Sequence, residues 1–137
     1  MLKLTLVTPE KKILTDQDVE EITVPAHRGE LNILDGHAPL VTTLSTGLMS
    51  WRNKGEAAVQ KVVVSWGYCE ISPNGVSVLA DIIDQRADIK EPDVRARLLA
   101  GEQRLAGSEH LTDDEFAEAQ RQVARARADL DLIGKSV

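Results

Sequence analysis

The chain has 137 residues, of which 42% are hydrophobic, and its formal net charge is −6. This composition predicts a globular protein of one domain, or of two small ones, and not a disordered chain. The negative charge, which no basic block offsets, argues against nucleic acid or anionic lipid as a partner. Cys69 is the single cysteine, so we expect neither an internal disulfide nor a thiolate metal cluster.

The first half of the chain has the pattern of a β-protein. At its start Leu2, Leu4 and Leu6 alternate with polar residues, which is typical of a strand and not of a signal peptide. Apolar runs such as 62–64 are far shorter than the roughly 20 residues that cross a bilayer, so no direct membrane insertion is expected. Turn signals recur regularly up to residue 87, and this spacing predicts an antiparallel β-sandwich over residues 1–87.

The stretch 29–40 reads Gly-Glu-Leu-Asn-Ile-Leu-Asp-Gly-His-Ala-Pro-Leu. Apolar and polar residues alternate between Gly29 and Gly36, which predicts a short half-buried strand. The two glycines tolerate positive φ and therefore allow a bend at each end of that strand. We expect this frame to present Glu30 and His37 outward.

The clearest hairpin joins a strand over 60–72 to a strand over 76–80 through the turn Pro73-Asn74-Gly75. Strict alternation along the first strand would put Trp66 and Tyr68 on one face, with Val63, Gly67 and Ile71 on the other.

The composition changes between residues 82 and 90, and residues 88–137 read as a helical domain. Pro92 suits the first turn of a helix, and Thr112 with Glu115 forms a capping box before a second helix. Apolar residues recur at helical spacing in both segments, which predicts an antiparallel helical hairpin. Its seam includes Gly101, Ala119 and Ala126, which bury little apolar surface. We therefore expect the hairpin to depend on docking against the sandwich or a partner. Leu99 and Leu132 lie off the seam, where a stable isolated hairpin would not need apolar residues.

No motif of an enzyme or a metal site is present. His27, His37 and His110 are widely spaced, and the serines lack a nearby His and Asp constellation. We expect neither catalysis nor a metal. His37 reads as a loop residue presented for contact or tied into its own turn.

The stretch 29–40 resembles the Gly-Glu-Leu-x-Ile-x-x-Gly-His-Ala-Pro-Leu signature of the epsilon subunit of rotary ATP synthases of the bacterial type. Asn32 replaces a glycine of many relatives. The similarity continues from residues 7–10 through Val24-Pro25 to residues 76–81 and a charged helical tail. The resemblance implies a non-catalytic subunit of the central stalk that binds the γ subunit and the c-ring and couples proton flow to ATP synthesis. It also implies a peripheral place at the cytoplasmic face of the cell inner membrane, held there by partner subunits.

The resemblance implies a contact between this stretch and the polar loops of the c-ring. Glu30 and His37 are the contact positions, and Gly29 and Gly36 shape the backbone around them. Without the resemblance, a solvated Glu30 is an equally good interpretation.

Three basic residues of the second helix are the other implied site. Arg121 and Arg125 are one turn apart, and Arg127 flanks them. They read either as a solvated face with Arg125–Asp129 and Arg127–Asp131 pairs, or, by resemblance, as a transient contact with the catalytic α/β subunits that restrains ATP hydrolysis.

Some relatives bind ATP through an Ile-Asp-x-x-Arg-Ala motif at the start of the tail, and this chain departs from that motif. Aligned on the helix, Lys90 stands where the aspartate belongs and Asp93 where the arginine belongs. The nearby segment 83–87 has the right residue types with one spacer too few. We therefore expect no cofactor and no tight ATP binding. Two other classes stay open: a β-sandwich adaptor with a coiled-coil tail, and a nucleotide-sensing binding module.

Overall fold

A computed structural model describes residues 2–136 as seven β-strands followed by two α-helices. The strands are β1 (Leu2–Val7), β2 (Lys12–Ala26), β3 (Gly29–Leu34), β4 (Leu40–Leu44), β5 (Gly47–Asn53), β6 (Val59–Ser72) and β7 (Gly75–Asp84). The helices are α1 (Glu91–Ala106) and α2 (Asp113–Leu132), and two short 3-10 turns, Arg86–Asp88 and Ser108–His110, precede them.

The strands wrap around one apolar core. Hydrogen bonding follows the order β1-β7-β6-β4-β2-β3, while β5 pairs with β2 and β6, and β1 also pairs with β2. The β1–β7 pairing is parallel, whereas β1–β2 and β6–β7 are antiparallel. Leu4, Leu6, Ile22 and Met49 are fully buried inside. This arrangement confirms the predicted β-sandwich followed by helices.

Strand β6 does not alternate along its whole length, so the predicted shared face of Val63, Gly67 and Ile71 was wrong, while Trp66 and Tyr68 are both exposed. Val62 and Val64 enter the sandwich core, and further along the strand Cys69 and Ile71 do so. Residues of even number thus face the core before Trp66, and residues of odd number face it afterwards. Trp66 has a left-handed backbone with φ of 60°, and this one residue shifts the alternation.

The predicted β6–β7 hairpin is present, with Ser72 paired to Gly75 across the turn. Next to the shift in alternation, β6 and β7 approach each other very closely at Gly67. A Cβ atom at this position would lie 1.9 Å from the carbonyl oxygen of Leu79. Glycine is therefore required here by the close backbone contact.

Helices α1 and α2 form the predicted antiparallel hairpin. Pro92 lies in the first turn of α1, and the Thr112–Glu115 capping box is formed by two hydrogen bonds of 3.1 and 3.2 Å. The seam is buried at Gly101 and Val123, where a Cβ on the glycine would be 2.7 Å from a valine methyl. Neither helix is long and apolar enough to span a membrane.

The connection between the sandwich and the helical hairpin is short. Strand β7 ends at Asp84 and α1 begins at Glu91. The boundary that the sequence indicates between residues 87 and 88 lies within this connection.

Cys69 lies in the sandwich core with no exposed surface. Burial raises the pKa of its thiol to about 11, because the thiolate would lose its hydration there. The native thiol is therefore protonated at neutral pH and poorly nucleophilic.

Candidate functional surfaces

Strand β3 lies at an edge of the sheet and pairs there with β2. Ile33 is fully buried while Glu30 is exposed, so the predicted half-buried strand is confirmed. Gly29 has a φ of 121° and Gly36 a φ of 84°, both in the region that favours glycine. We call β3 and its two end turns, with Gly29, Glu30, Gly36 and His37, the β3 rim.

Glu30 and His37 lie at opposite ends of the β3 rim. The six residues of β3 span about 20 Å at the usual strand rise. The His37 ring contacts the carbonyl oxygen of Ala38 at 2.8 Å through Nδ1, and its backbone N–H bonds the carbonyl of Leu34. His37 is therefore held in its own turn by these two contacts. The β3 rim thus carries one candidate contact residue at each end, Glu30 and His37.

Arg125 joins α2 to the sandwich. Its guanidinium donates two hydrogen bonds to the carboxylate of Asp84 at the end of β7, at 2.7 and 2.9 Å. Arg125 therefore does not form the solvated pair with Asp129, because it binds the carboxylate of Asp84 on the facing strand. Burial alone would raise the pKa of Asp84, but the hydrogen bond and charge of Arg125, together with Asp129 and the charge of Arg97, outweigh burial and hold the pKa below its ordinary value.

Asp129 is fully buried between the two helices and the sandwich. Its Oδ2 accepts a hydrogen bond of 2.9 Å from Arg97 of α1. Burial raises the pKa of Asp129 to about 6, against the lowering effect of Arg97. We call Asp84, Arg97, Arg125 and Asp129 the docking cluster, because together they tie both helices to β7.

The other two predicted arginines have different surroundings. Arg121 lies over the indole ring of Trp66 in β6, with its guanidinium carbon 5.3 Å from the ring centroid. Arg127 is exposed. Leu132, which sequence reasoning placed off the seam, is 3% exposed and follows the same helical stripe as Arg121 and Arg125. The structure thus brings Arg121 and Arg125 to the sandwich and leaves Arg127 in solvent.

Sequence reasoning missed an apolar surface on the outside of β4, β6 and β7. Val41, Trp66, Tyr68 and Leu79 are between 42% and 67% exposed, and Tyr68 pairs directly with Leu79 across the two strands. We call these four residues the aromatic face. The sequence placed Trp66 and Tyr68 on one face of a strand, but it did not indicate that this face is exposed or which residues of other strands lie beside it.

The part of the chain that the structure describes holds no group of three His, Cys, Asp or Glu side chains placed to bind a metal. His110 contacts the adjacent Glu109 at 3.3 Å, while His27 and His37 lie on opposite sides of β3 in the chain.

The sequence is similar to a known domain family over the sandwich and to a bacterial protein over almost its whole length. Residues 1–85 match the family described as ATP synthase, Delta/Epsilon chain, beta-sandwich domain. The ATP synthase epsilon chain of Bdellovibrio bacteriovorus is 50% identical over 130 residues, which cover 95% of this chain and 92% of that protein.

Two solved structures show the same fold. A chain of the Euglena gracilis mitochondrial ATP synthase structure, which comprises OSCP, F1 and the c-ring, superimposes with a TM-score of 0.78 at 21% identity, covering 95% of this chain and 79% of that one. A chain of the Tetrahymena thermophila mitochondrial ATP synthase central stalk and c-ring gives a TM-score of 0.65 at 19% identity, with 96% of each chain covered. With the 50% identity to a bacterial epsilon chain, the match to the sandwich family shows that this protein belongs to the epsilon-chain family of ATP synthase, whose members are non-catalytic stalk subunits.

Proposed function

We propose that this chain is the rotor subunit that joins the γ subunit to the c-ring and so couples proton flow to ATP synthesis. The observation that carries this proposal is that the sandwich has two separate exposed surfaces on one rigid frame, the β3 rim and the aromatic face. A frame of paired strands transmits torque between two partners better than a loop does. The chain then lies peripherally at the cytoplasmic face of the inner membrane, through these partners.

The β3 rim is proposed to contact the polar loops of the c-ring. As an edge strand of about 20 Å, β3 can lie along a wide ring with both of its end turns in contact. Glu30 at one end and His37 at the other then provide polar contacts. Gly29 and Gly36 fix the turns, because their positive φ is strained in other residues.

The aromatic face is proposed to bind the γ subunit. Tyr68 is 58% exposed and Trp66 is 57% exposed, next to each other on the outer side of β6. Aromatic side chains contribute most of the binding energy in many protein interfaces, and a contiguous exposed patch marks such sites. A cleft of about 320 Å³ between Trp66, Tyr68 and Leu79 provides room for an apolar side chain of the partner.

Assembly with two surface variants tests both contacts at once. We expect Tyr68→Glu to lower the recovery of γ with this chain by about tenfold, since a charge then replaces an aromatic anchor. We expect Glu30→Arg to retain γ and to lose c-ring contact. Co-purification of γ and c-ring with each variant is the measurement.

Leu99→Glu is the matched control, because Leu99 of α1 is 59% exposed and lies far from both surfaces in the chain. Normal recovery of γ with Tyr68→Glu would contradict the γ assignment alone. If the wild-type chain recovers no ATP synthase subunit, the adaptor alternative replaces the proposal.

Inhibition of ATP hydrolysis is proposed to require release of the helical hairpin. In the docked hairpin Arg125 is bound to Asp84 and Arg121 lies over Trp66, so only Arg127 of the three is free in solvent. Undocking exposes all three cations together and makes them available to the catalytic α/β subunits.

We propose that the chain works without a bound nucleotide. The cleft between hairpin and sandwich contains three arginines, but Asp84 already binds Arg125 and Asp129 already binds Arg97. A phosphate group would have to displace both carboxylates. Equilibrium dialysis with labelled ATP is expected to give millimolar affinity or none. Micromolar binding would instead favour a nucleotide sensor.

A further inference from the structure

The carboxyl groups of Asp84 and Asp129 in the docking cluster lie close together, although they would repel each other if both were ionised. Asp129 follows Arg125 by one helical turn, and Arg125 binds Asp84. Asp129 has no exposed surface, its Oδ1 is buried without a hydrogen-bond partner, and the carboxyl group of Asp84 lies close enough to raise the pKa of Asp129. The close pair lies where the hairpin meets the sandwich.

Two ionised carboxylates cannot hydrogen-bond to each other, because each is only an acceptor. While Asp129 Oδ2 accepts from Arg97, Oδ1 is buried and has no donor. A single proton on the pair supplies the missing donor. Without it, a buried oxygen is left unsatisfied beside a second negative charge, and such groups are costly.

We propose that Asp84 and Asp129 form a proton-dependent latch, which holds the helical hairpin on the sandwich when the pair carries one proton and loosens it when both carboxyls are ionised.

The charged groups around the pair come from three elements. Asp84 is on β7, Arg97 on α1 and Arg125 on α2. The adjoining cleft of about 350 Å³ also contains the charged side chains of Asp81, Glu118 and Arg121. The two arginines stabilise one negative charge strongly, which explains why the pKa of Asp84 is lowered while burial raises that of Asp129 to about 6.

The sign of the pH dependence follows from these two shifts. Asp129 has a raised pKa in the docked state, so docking takes up a proton and is weakened as the pH rises through about 6. Asp84 has a lowered pKa, so its contribution is lost only when the pH falls below the ordinary carboxyl range of about 4. Docking is therefore strongest near pH 4 and weakens progressively as the pH rises from about 4 to about 6.

The latch is incompletely satisfied even when docked, since Arg97 Nη1 is also buried without a partner. A partly satisfied polar network holds two elements together less firmly than an apolar contact. This leaves the hairpin releasable. The consequence for the enzyme rests on the proposed function: deprotonation then favours the released hairpin that restrains ATP hydrolysis.

Hydrogen exchange of the isolated chain at pH 5.0, 6.0 and 7.0 tests the latch. After correction for intrinsic exchange rates, we expect the protection factors of α2 amides to fall roughly tenfold across this range. Asp129→Asn keeps a neutral, hydrogen-bonding side chain at this position, so its protection should be independent of pH. Asp131→Asn removes an exposed carboxylate two residues further along α2 and should keep the wild-type dependence.

A second measurement does not depend on the folding of any variant. The Asp129 carboxyl carbon of the wild-type chain should titrate in NMR with a midpoint near 6. A midpoint near the ordinary value of about 4, or protection of α2 that does not change with pH, would overturn the latch. Neither readout involves γ, the c-ring or ATP, so failure of the latch is distinguishable from failure of the proposed function.

Discussion

Replacing Gly67 with alanine is expected to destabilise the sandwich by about 3 kcal/mol or more. The added Cβ would lie 1.9 Å from the carbonyl oxygen of Leu79 and 2.8 Å from the Cα of Ala80. Both are backbone atoms of β7, so the two strands must separate and weaken their hydrogen bonds. Urea unfolding followed by circular dichroism measures the loss as a lower transition midpoint.

Gly107→Ala is the matched control. Gly107 ends α1 with a φ of −98°, and a Cβ there would be 3.9 Å from its nearest neighbours. We expect a change within about 0.5 kcal/mol. If Gly67→Ala unfolds at the same urea concentration as this control, the close approach of β6 and β7 is wrong.

Replacing Arg125 with alanine should release the helical hairpin at a cost of about 2–4 kcal/mol in docking. The loss is large because the Asp84 carboxylate, whose side chain is 13% exposed, then has no partner beside the buried Asp129. Hydrogen exchange of α2 amides measures release. Arg127→Ala, on the exposed side of the same helix, should leave the exchange unchanged.

A paired variant separates docking from inhibition. Asp84→Ala also releases the hairpin, because Arg125 then loses its partner, but it keeps all three arginines of α2. We expect ATP hydrolysis by the assembled complex to fall with Asp84→Ala and to rise with Arg125→Ala, since only the second variant removes a proposed inhibitory cation. Equal hydrolysis by the two variants would remove the arginines from the inhibitory contact.

The elements of the fold that depend on local sequence were predictable. The Thr112–Glu115 capping box, the helical seam and the Pro73-Asn74-Gly75 turn each depend on residues a few positions apart. The shift in alternation at Trp66 was not predictable, because a left-handed tryptophan has no local sequence signal. The register of β6 against β7 continues unchanged across it, from Ser65 paired with Ile82 to Gly67 paired with Ala80.

The candidate surfaces follow the same rule: residues within one continuous stretch were predictable, and residues brought together from distant parts of the chain were not. The β3 rim follows from one continuous stretch, so the amino-acid sequence alone locates Glu30 and His37. The docking cluster joins residues 41 positions apart, as in the Arg125–Asp84 pair. Helical spacing alone favoured the nearby Arg125–Asp129 pair, and only the position of β7 against α2 decides between them.

The pairing of β1 has a consequence for synthesis on the ribosome. One edge of β1 bonds to β2, and the other bonds in parallel to residues 76–79 of β7. A nascent chain that has not yet exposed β7 therefore keeps one edge of its first strand open, and such edges are prone to wrong pairing. We conclude that the N-terminal half cannot complete its fold during translation until the last strand has left the exit tunnel.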